Sequence, residues 1–359
     1  MVLRVKGNGM RRIAGAVVCG CILVACGQPC VSAQLGDPVK SPLVIVIGVD
    51  GLSTDGVLKA KDPQLRQLME RSAWTLEARG VMPTLSSPNW ESMITGAGPE
   101  QHGITSNGIL GHMSRFRPVC VDAEGQFPTM FQVLRTQQPT ARIAIFHEWA
   151  GFADLLEKDV PDVLQHERSH ERTAEAAMEY WKANHPTLLF VHLDNVDHTG
   201  HDEGWGTAAY YRAVADADRH IGQFLDMVHE SGVEHRTYIL VTSDHGGKGR
   251  NHGKSSIVEI QIPWVIAGPD IAPGRLTSPV YIYDTAATIA WIFGLTPPDC
   301  WIGRPMLGAF RPATVVARSG VHSLPLTQGC EPLQSPVIAV GVGASQLPAS
   351  PNMAPGHSH

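Results

Sequence analysis

Three aspartates, three histidines and one serine hydroxyl fall along this chain in four short clusters. They read V-I-G-V-D-G-L around Asp50, P-T-L-S-S-P-N around Ser86, D-H-T-G-H from Asp197 to His201, and S-D-H-G-G-K-G-R-N-H-G carrying Asp244, His245 and His252. Carboxylates and imidazoles are ligands for divalent ions such as zinc. The count suits two ions and a nucleophile between them. Two ions about 4 Å apart clamp the attacking and leaving oxygens of a phosphoryl displacement. A neutral serine is a weak nucleophile, and a bound cation turns it into an alkoxide.

Three of the clusters follow strand-like runs. Leu43 to Ile47 is continuous and apolar, and Thr187 to Leu193 and Thr237 to Thr242 are largely so, the pattern of parallel strands buried on both faces. Open α/β sheets place ligands at the carboxyl ends of such strands. Ser86 precedes a helical pattern, where backbone N–H groups and the helix dipole favour phosphate oxygens. Each cluster alone has an ordinary explanation: a helix-capping Asp or Ser, or an exposed histidine. The set of four makes that explanation hard to hold. Within the third cluster Asp194, His198 and Asp202 compete with Asp197 and His201. Adjacent Asp244 and His245 would point apart on a strand, so they serve one ion from a turn or two ions separately.

Around these runs the periodicity predicts helices over Pro63–Trp74, Pro128–Gln137, Glu171–Lys182, Thr207–His229 and Asp284–Phe293, and strands over Arg142–Phe146 and Ile262–Ala267. Strand and helix alternate, so the expected fold class is α/β, a mostly parallel central sheet with helices on both faces.

The order Asp, Ser, Asp-x-x-x-His, Asp-His, His-Gly resembles the alkaline phosphatase superfamily. Its nearest branch here is the type I phosphodiesterase/nucleotide pyrophosphatase family. That branch is marked by a Thr-Phe-Pro-Asn-like nucleophile segment, then Thr-Gly-x-x-Pro-Glu-x-His-Gly and an Asn. This chain has Ser86-Ser87-Pro88-Asn89, then Thr95-Gly96-Ala97-Gly98-Pro99-Glu100-Gln101-His102-Gly103 and Asn107. The resemblance runs from Asp50 to about Gly268. It implies an alkaline phosphatase-like fold and two divalent ions, zinc by preference. Asp197, His201 and His252 would hold one; Asp50, Asp244 and His245 the other, together with Ser86. It implies Ser86 as nucleophile and Asn107 as donor to a non-bridging phosphate oxygen. The expected substrate is a small phosphate ester.

The departures narrow this. Ser86 stands where the branch usually has Thr, which bears on subfamily rather than chemistry. Trp90 stands where a formylglycine sulfatase needs Arg, so that activity is not expected. Ile145 to Trp149 lacks the Lys-x-Arg pair by which some phosphomonoesterases of the superfamily grip a dianion, which favours a diester. The short stretch between Trp149 and His166 leaves no room for a large cap and implies an open site. Trp90, Phe116, Phe146 and Trp149 are candidates to line a leaving-group pocket, with core packing the commoner role for each. The alternatives are an alkaline phosphatase-type phosphomonoesterase, a phosphonate or phosphoryl hydrolase or transferase, and a surface-anchored binding protein without chemistry.

With 359 residues, 43% hydrophobic and 17% charged, the chain is long enough for one large α/β domain, expected over residues 40–311. A net charge of −6 disfavours non-specific nucleic-acid binding. The basic start up to Arg12, then the apolar Ile13–Ala25, read as a signal peptide within residues 1–33. Leu23-Val24-Ala25-Cys26 looks like a lipobox, with Cys26 as lipid anchor, and Val31-Ser32-Ala33 is a competing ordinary cleavage site. Export, to the periplasm or the outer membrane in a bacterium, permits disulfides. Cys300 with Cys330, leaving Cys120 free, is the expected pairing. From Pro312 to the end, Pro, Ser and Gly dominate and a loosely packed tail is expected.

Overall fold

The computed structural model describes residues 41–107, 116–123 and 125–321. The strands are β1 (Leu43–Val49), β2 (Ala73–Arg79), β3 (Ile143–His147), β4 (Val163–His166), β5 (Leu188–Leu193), β6 (Thr237–Thr242), β7 (Gln261–Ala267) and β8 (Gly274–Arg275). They make one sheet in the order β4-β3-β5-β1-β6-β7-β2-β8. The helices are α1 (Thr54–Lys59), α2 (Pro63–Glu70), α3 (Ser86–Thr95), α4 (Pro99–His102), α5 (Met130–Gln137), α6 (His170–Asn184), α7 (Asn195–Glu203), α8 (Ala208–Glu230), α9 (Ile257–Ile260), α10 (Asp284–Phe293) and α11 (Pro312–Val321).

The three apolar runs become the central strands. β1 lies between β5 and β6, parallel to both, with Val44 opposite Leu188 on one side and Tyr238 on the other. This register brings the carboxyl ends of all three to the same edge. The backbone N–H of Asp50 continues the ladder, donating to the Leu193 carbonyl at 2.8 Å. β7 runs antiparallel to β6 and β2, so the sheet is mixed but mostly parallel.

Side chains alternate across the sheet, as strand pleating requires. Val44 and Val46 join Trp90, Phe131 and Phe190 in one buried layer, beneath α3, α5 and α10. Ile45, Ile47 and Val49 join Leu65, Trp181 and Phe224 in the other, beneath α2, α6 and α8.

Three expectations are corrected here, and one is narrowed. The helix predicted over Pro63–Trp74 ends at Glu70, and β2 begins at Ala73. The Ala73–Arg79 segment buries alternate residues at first, a period of two that the helical reading overran. Trp90 and Phe146 are fully enclosed core residues, at 0% and 1% exposure, the commoner role expected for each, and line no leaving-group pocket. The disulfide joins Cys120 to Cys300, not Cys300 to Cys330, which lies outside the described residues. Two contacts bring the cysteines together: the Val119 N–H donates to the Gln101 carbonyl, and the Trp301 indole donates to the Pro128 carbonyl. Finally, the segment expected as a tail begins with α11. Arg318 anchors it by donating to the carbonyls of Trp291 and Ile292, with its guanidinium 4.6 Å from the Trp291 ring centroid.

His102 ties the loop that leads to Asn107 onto α3. Its Nδ1 accepts from the Ile104 N–H at 3.1 Å, so Nε2 carries the proton and donates to Ser92 Oγ at 3.0 Å. Burial pushes its pKa down to about 3, from the ordinary 6.5. Between those values the unfolded chain binds a proton that the folded chain refuses, so stability falls as pH drops below about 6.5. His102→Gln should therefore lose less stability between pH 7 and pH 5 than the parent, by up to ~2 kcal/mol. Urea unfolding at the two pH values measures this, and equal losses in both proteins would contradict it.

Candidate active site

Each cluster reaches the site from a different element. Asp50 and Asp244 follow the ends of β1 and β6, and His245 sits in the turn beyond. Asp197 and His201 are one turn apart on α7, where side chains four residues apart share a face. His252 lies in the glycine-rich loop after β6, its ring stacked on that of His245 with centroids 3.7 Å apart. Ser86 is the first residue of α3, and its hydroxyl does not cap the helix. Its Oγ instead lies 3.2 Å from His245 Nε2.

Two groups of atoms result. His201 Nε2 is 3.4 Å from Asp197 Oδ2, and His252 Nε2 is 3.0 Å from His201 Nε2 and 3.7 Å from Asp197 Oδ1. His245 Nε2 is 3.1 Å from Asp244 Oδ2 and 3.5 Å from Asp50 Oδ1. The groups adjoin, since Asp197, His245 and His252 also offer ligand atoms within 4.8 Å of one another.

Proton placement tells what these atoms are ready for. His201, His245 and His252 each set Nδ1 against a backbone carbonyl, of Arg250, Gly246 and Thr84, at 2.7–3.0 Å. A carbonyl only accepts, so Nδ1 carries the proton and each Nε2 presents a bare lone pair to the site. Burial, then the neighbouring His252, pushes His245 down to about 3, and burial also lowers His252. Both rings therefore stay neutral, the form that binds a metal.

The carboxylates match this. Asp50 Oδ1, Asp197 Oδ1 and Asp244 Oδ2 are buried and accept no hydrogen bond. Burial raises Asp197 and Asp244 well above the usual range, and the charge of Asp50 raises both further. Burial acts on Asp50 too, but the hydrogen bond from His192, the adjacent imidazoles and the Trp90 indole outweigh it and hold it at about 2. Bare carboxylate oxygens facing bare imidazole nitrogens repel unless cations lie between them. The donor set of Asp oxygen, His nitrogen and Ser oxygen fits two zinc-like ions.

Asn107 is tied to the start of α3. Its Oδ1 accepts the Ser87 N–H at 2.8 Å, which turns the side-chain amide N–H group away from α3 at an exposed position. Two of the competing residues lie apart: His198 and Asp202 pair with each other at 3.3 Å on the outer side of α7. Asp194 instead faces Asp50 and His192.

Sequence reasoning passed over three contributors. His192 looked like part of an apolar strand, yet its Nε2 is 3.2 Å from Asp50 Oδ2. Glu148 accepts the N–H groups of Asp194 and Asn195 at 2.6 and 3.2 Å, fixing the start of α7. Trp205 donates to the Gly51 carbonyl and packs its ring edge-on against His201. A polar residue near the end of an otherwise apolar strand was the available signal for His192. Glu148 and Trp205 had none.

Comparison with known proteins follows the same lines. A profile described as type I phosphodiesterase/nucleotide pyrophosphatase matches residues 44–259. A pyrophosphatase/phosphodiesterase of Schizosaccharomyces pombe, itself uncharacterized, is 24% identical over 227 residues, 59% of this chain and 46% of its own length. Human ectonucleotide pyrophosphatase/phosphodiesterase family member 5 is 21% identical over 56% of this chain and 44% of its own. The chain thus spans under half the length of these curated relatives. Among solved structures, the inactive murine member 5 in complex with AMP superposes with a TM-score of 0.61 at 16% identity, over 75% of this chain and 98% of that one. A variant of the alkaline phosphatase PafA superposes with a TM-score of 0.62 at 11% identity, over 77% and 100%.

Metal removal tests the site directly. Chelator-treated protein should take up two equivalents of zinc, read by titration calorimetry, with a rise in Tm. Asp197→Asn or His252→Ala should reduce uptake to one tight equivalent.

Proposed function

Because the chain belongs to the type I phosphodiesterase/nucleotide pyrophosphatase family, we propose that it hydrolyses phosphodiester or pyrophosphate bonds of small phosphate esters, through a phosphoserine formed on Ser86. One observation carries the reading. Three imidazoles with their protons turned outward and three unpartnered carboxylate oxygens converge beside a serine hydroxyl at a helix start. Asp197, His201 and His252 would hold one divalent ion; Asp50, Asp244, His245 and Ser86 the other. Zinc is preferred on ligand type. Bound there, the ions would lower the pKa of the serine hydroxyl and neutralise charge on the reacting oxygens.

The residues of the chain do the rest. Ser86 Oγ, its proton lost to solvent, attacks phosphorus in line. The Oγ–P bond forms as the bond to the leaving oxygen breaks, and the leaving group departs with the electron pair. Asn107 donates its amide N–H to a non-bridging oxygen, stabilising charge as an oxyanion-hole donor does. The N-terminal end of α3 adds its dipole, the Ser87 N–H there being taken by Asn107. Water then attacks the phosphoserine, the P–Oγ bond breaks, and the monoester leaves as Ser86 is regenerated.

Diesters are favoured over monoesters by what stands at the end of β3. Ile145 to Trp149 contains no Lys or Arg, and the Glu148 carboxylate is already engaged by α7. Nucleotides are the first class to screen, since a structural neighbour was solved with AMP. We further propose that the chain is exported, with Cys26 or the bond after Ala33 as processing site; the disulfide suits an oxidising compartment.

Aryl phosphodiester and aryl phosphomonoester with the same leaving group, given to zinc-loaded protein, separate the readings. Diester turnover should exceed monoester turnover. Ser86→Ala should lose turnover by about 10³-fold or more while keeping both zinc equivalents. Substantial residual activity would remove Ser86 as nucleophile. Faster monoester cleavage would favour an alkaline phosphatase-type activity.

A further inference from the structure

Asp50 has two oxygens with opposite surroundings. Oδ1 accepts nothing and faces His245 at 3.5 Å. Oδ2 accepts the Trp90 indole N–H at 2.9 Å and lies 3.2 Å from His192 Nε2. Both partners are wholly buried. Because a carboxylate only accepts, His192 presents its Nε2–H to Asp50.

Trp90 has a second attachment. It sits on α3, four residues after Ser86, and so on the same helix face. The indole bond therefore joins the helix that starts at the nucleophile to the strand that ends at a metal ligand. The ring is gripped where it crosses β1. A Cβ on Gly48 would fall 2.5 Å from the Trp90 ring, too close for any side chain there. Phe152 and His192 pack edge-on against the indole, with centroids at 5.7 and 4.8 Å. Gly48, Trp90 and His192 together form a rigid seat beneath the site.

We propose that Trp90 and His192 are positioning residues that clamp Oδ2 of Asp50, so that only Oδ1 is presented to the cation, and that the Trp90 bond fixes the seat of Ser86 over that cation. The clamp satisfies the outer oxygen with two N–H donors, leaving a single-oxygen ligand of set direction. Hydrogen-bond partners of metal ligands orient them and tune affinity in this way. The inference rests on the proposed metal site, and on no particular substrate.

The test uses the full chain labelled with ¹⁵N at its indole nitrogens. The Trp90 signal is assigned as the one missing from Trp90→Phe. Adding zinc to the chelator-treated parent should shift this signal. Trp90→Phe and His192→Leu should each weaken one of the two zinc equivalents about 10-fold or more and leave the other unchanged. His192→Gln, which keeps an N–H donor, should recover part of that loss. Turnover of Trp90→Phe should fall in kcat with little change in KM. A Trp90 signal unmoved by zinc, or two equivalents of parental affinity in Trp90→Phe, would overturn the clamp and leave the metal site standing. A parent that binds no zinc would overturn both.

Discussion

The constraint on which this structure turns is the enclosure of three carboxylates, with bare oxygens, among imidazoles that have turned their protons away. Such a cluster is unstable by itself. Like charges raise one another, and burial denies them the water that would screen them. The chain folds into this arrangement through backbone geometry rather than through the cluster's own attractions. The Asp50 N–H extends the β1–β5 ladder, the Gly51 N–H holds Asp244 Oδ1, and Glu148 fixes the first turn of α7. Apolar burial above and below the sheet supplies the stability against which the cluster is held.

Placement by backbone explains why the site sits where it does. Parallel strands in one register deliver their last residues to one edge, so Asp50 and Asp244 come together although 194 residues apart in sequence order, with α7 packed beside them through Asp197. The third wall is a helix start. α3 brings the Ser86 hydroxyl and the positive end of its dipole to the same point. Asn107 is held there from the opposite side, because His102 and Ser87 both tie its loop back onto α3. Ser86, the Asn107 loop and the Trp90 bond to Asp50 thus share one helix as common support.

Much of this was legible in the sequence. The three apolar runs are unambiguous because buried parallel strands carry no polar face. Asp284–Phe293 is bounded by Asp284 and by Gly294, which adopts a left-handed conformation at φ 68°. The clusters stood out because imidazole and carboxylate at strand ends are hard to explain as packing. Legibility failed where the deciding partner was distant. Ala73 and Trp74 read as the end of a helix until β7 and β8 pair with their strand on either side. Cys120 finds Cys300 because Val119 and Trp301 anchor their two segments in adjoining places, which no spacing rule encodes.

The sequence by itself determined the fold class, the donor inventory of Asp50, Ser86, Asp197, His201, Asp244, His245 and His252, and the branch of chemistry those types allow. These follow from local pattern and residue type. Only the tertiary structure decided which lone pairs face one another, that His192 and Trp90 hold the outer oxygen of Asp50, and that two of its candidate aromatic pocket residues are core. Those depend on hydrogen-bond direction and side-chain contact across the sheet, and both arise only when segments far apart in sequence are brought within a few ångströms.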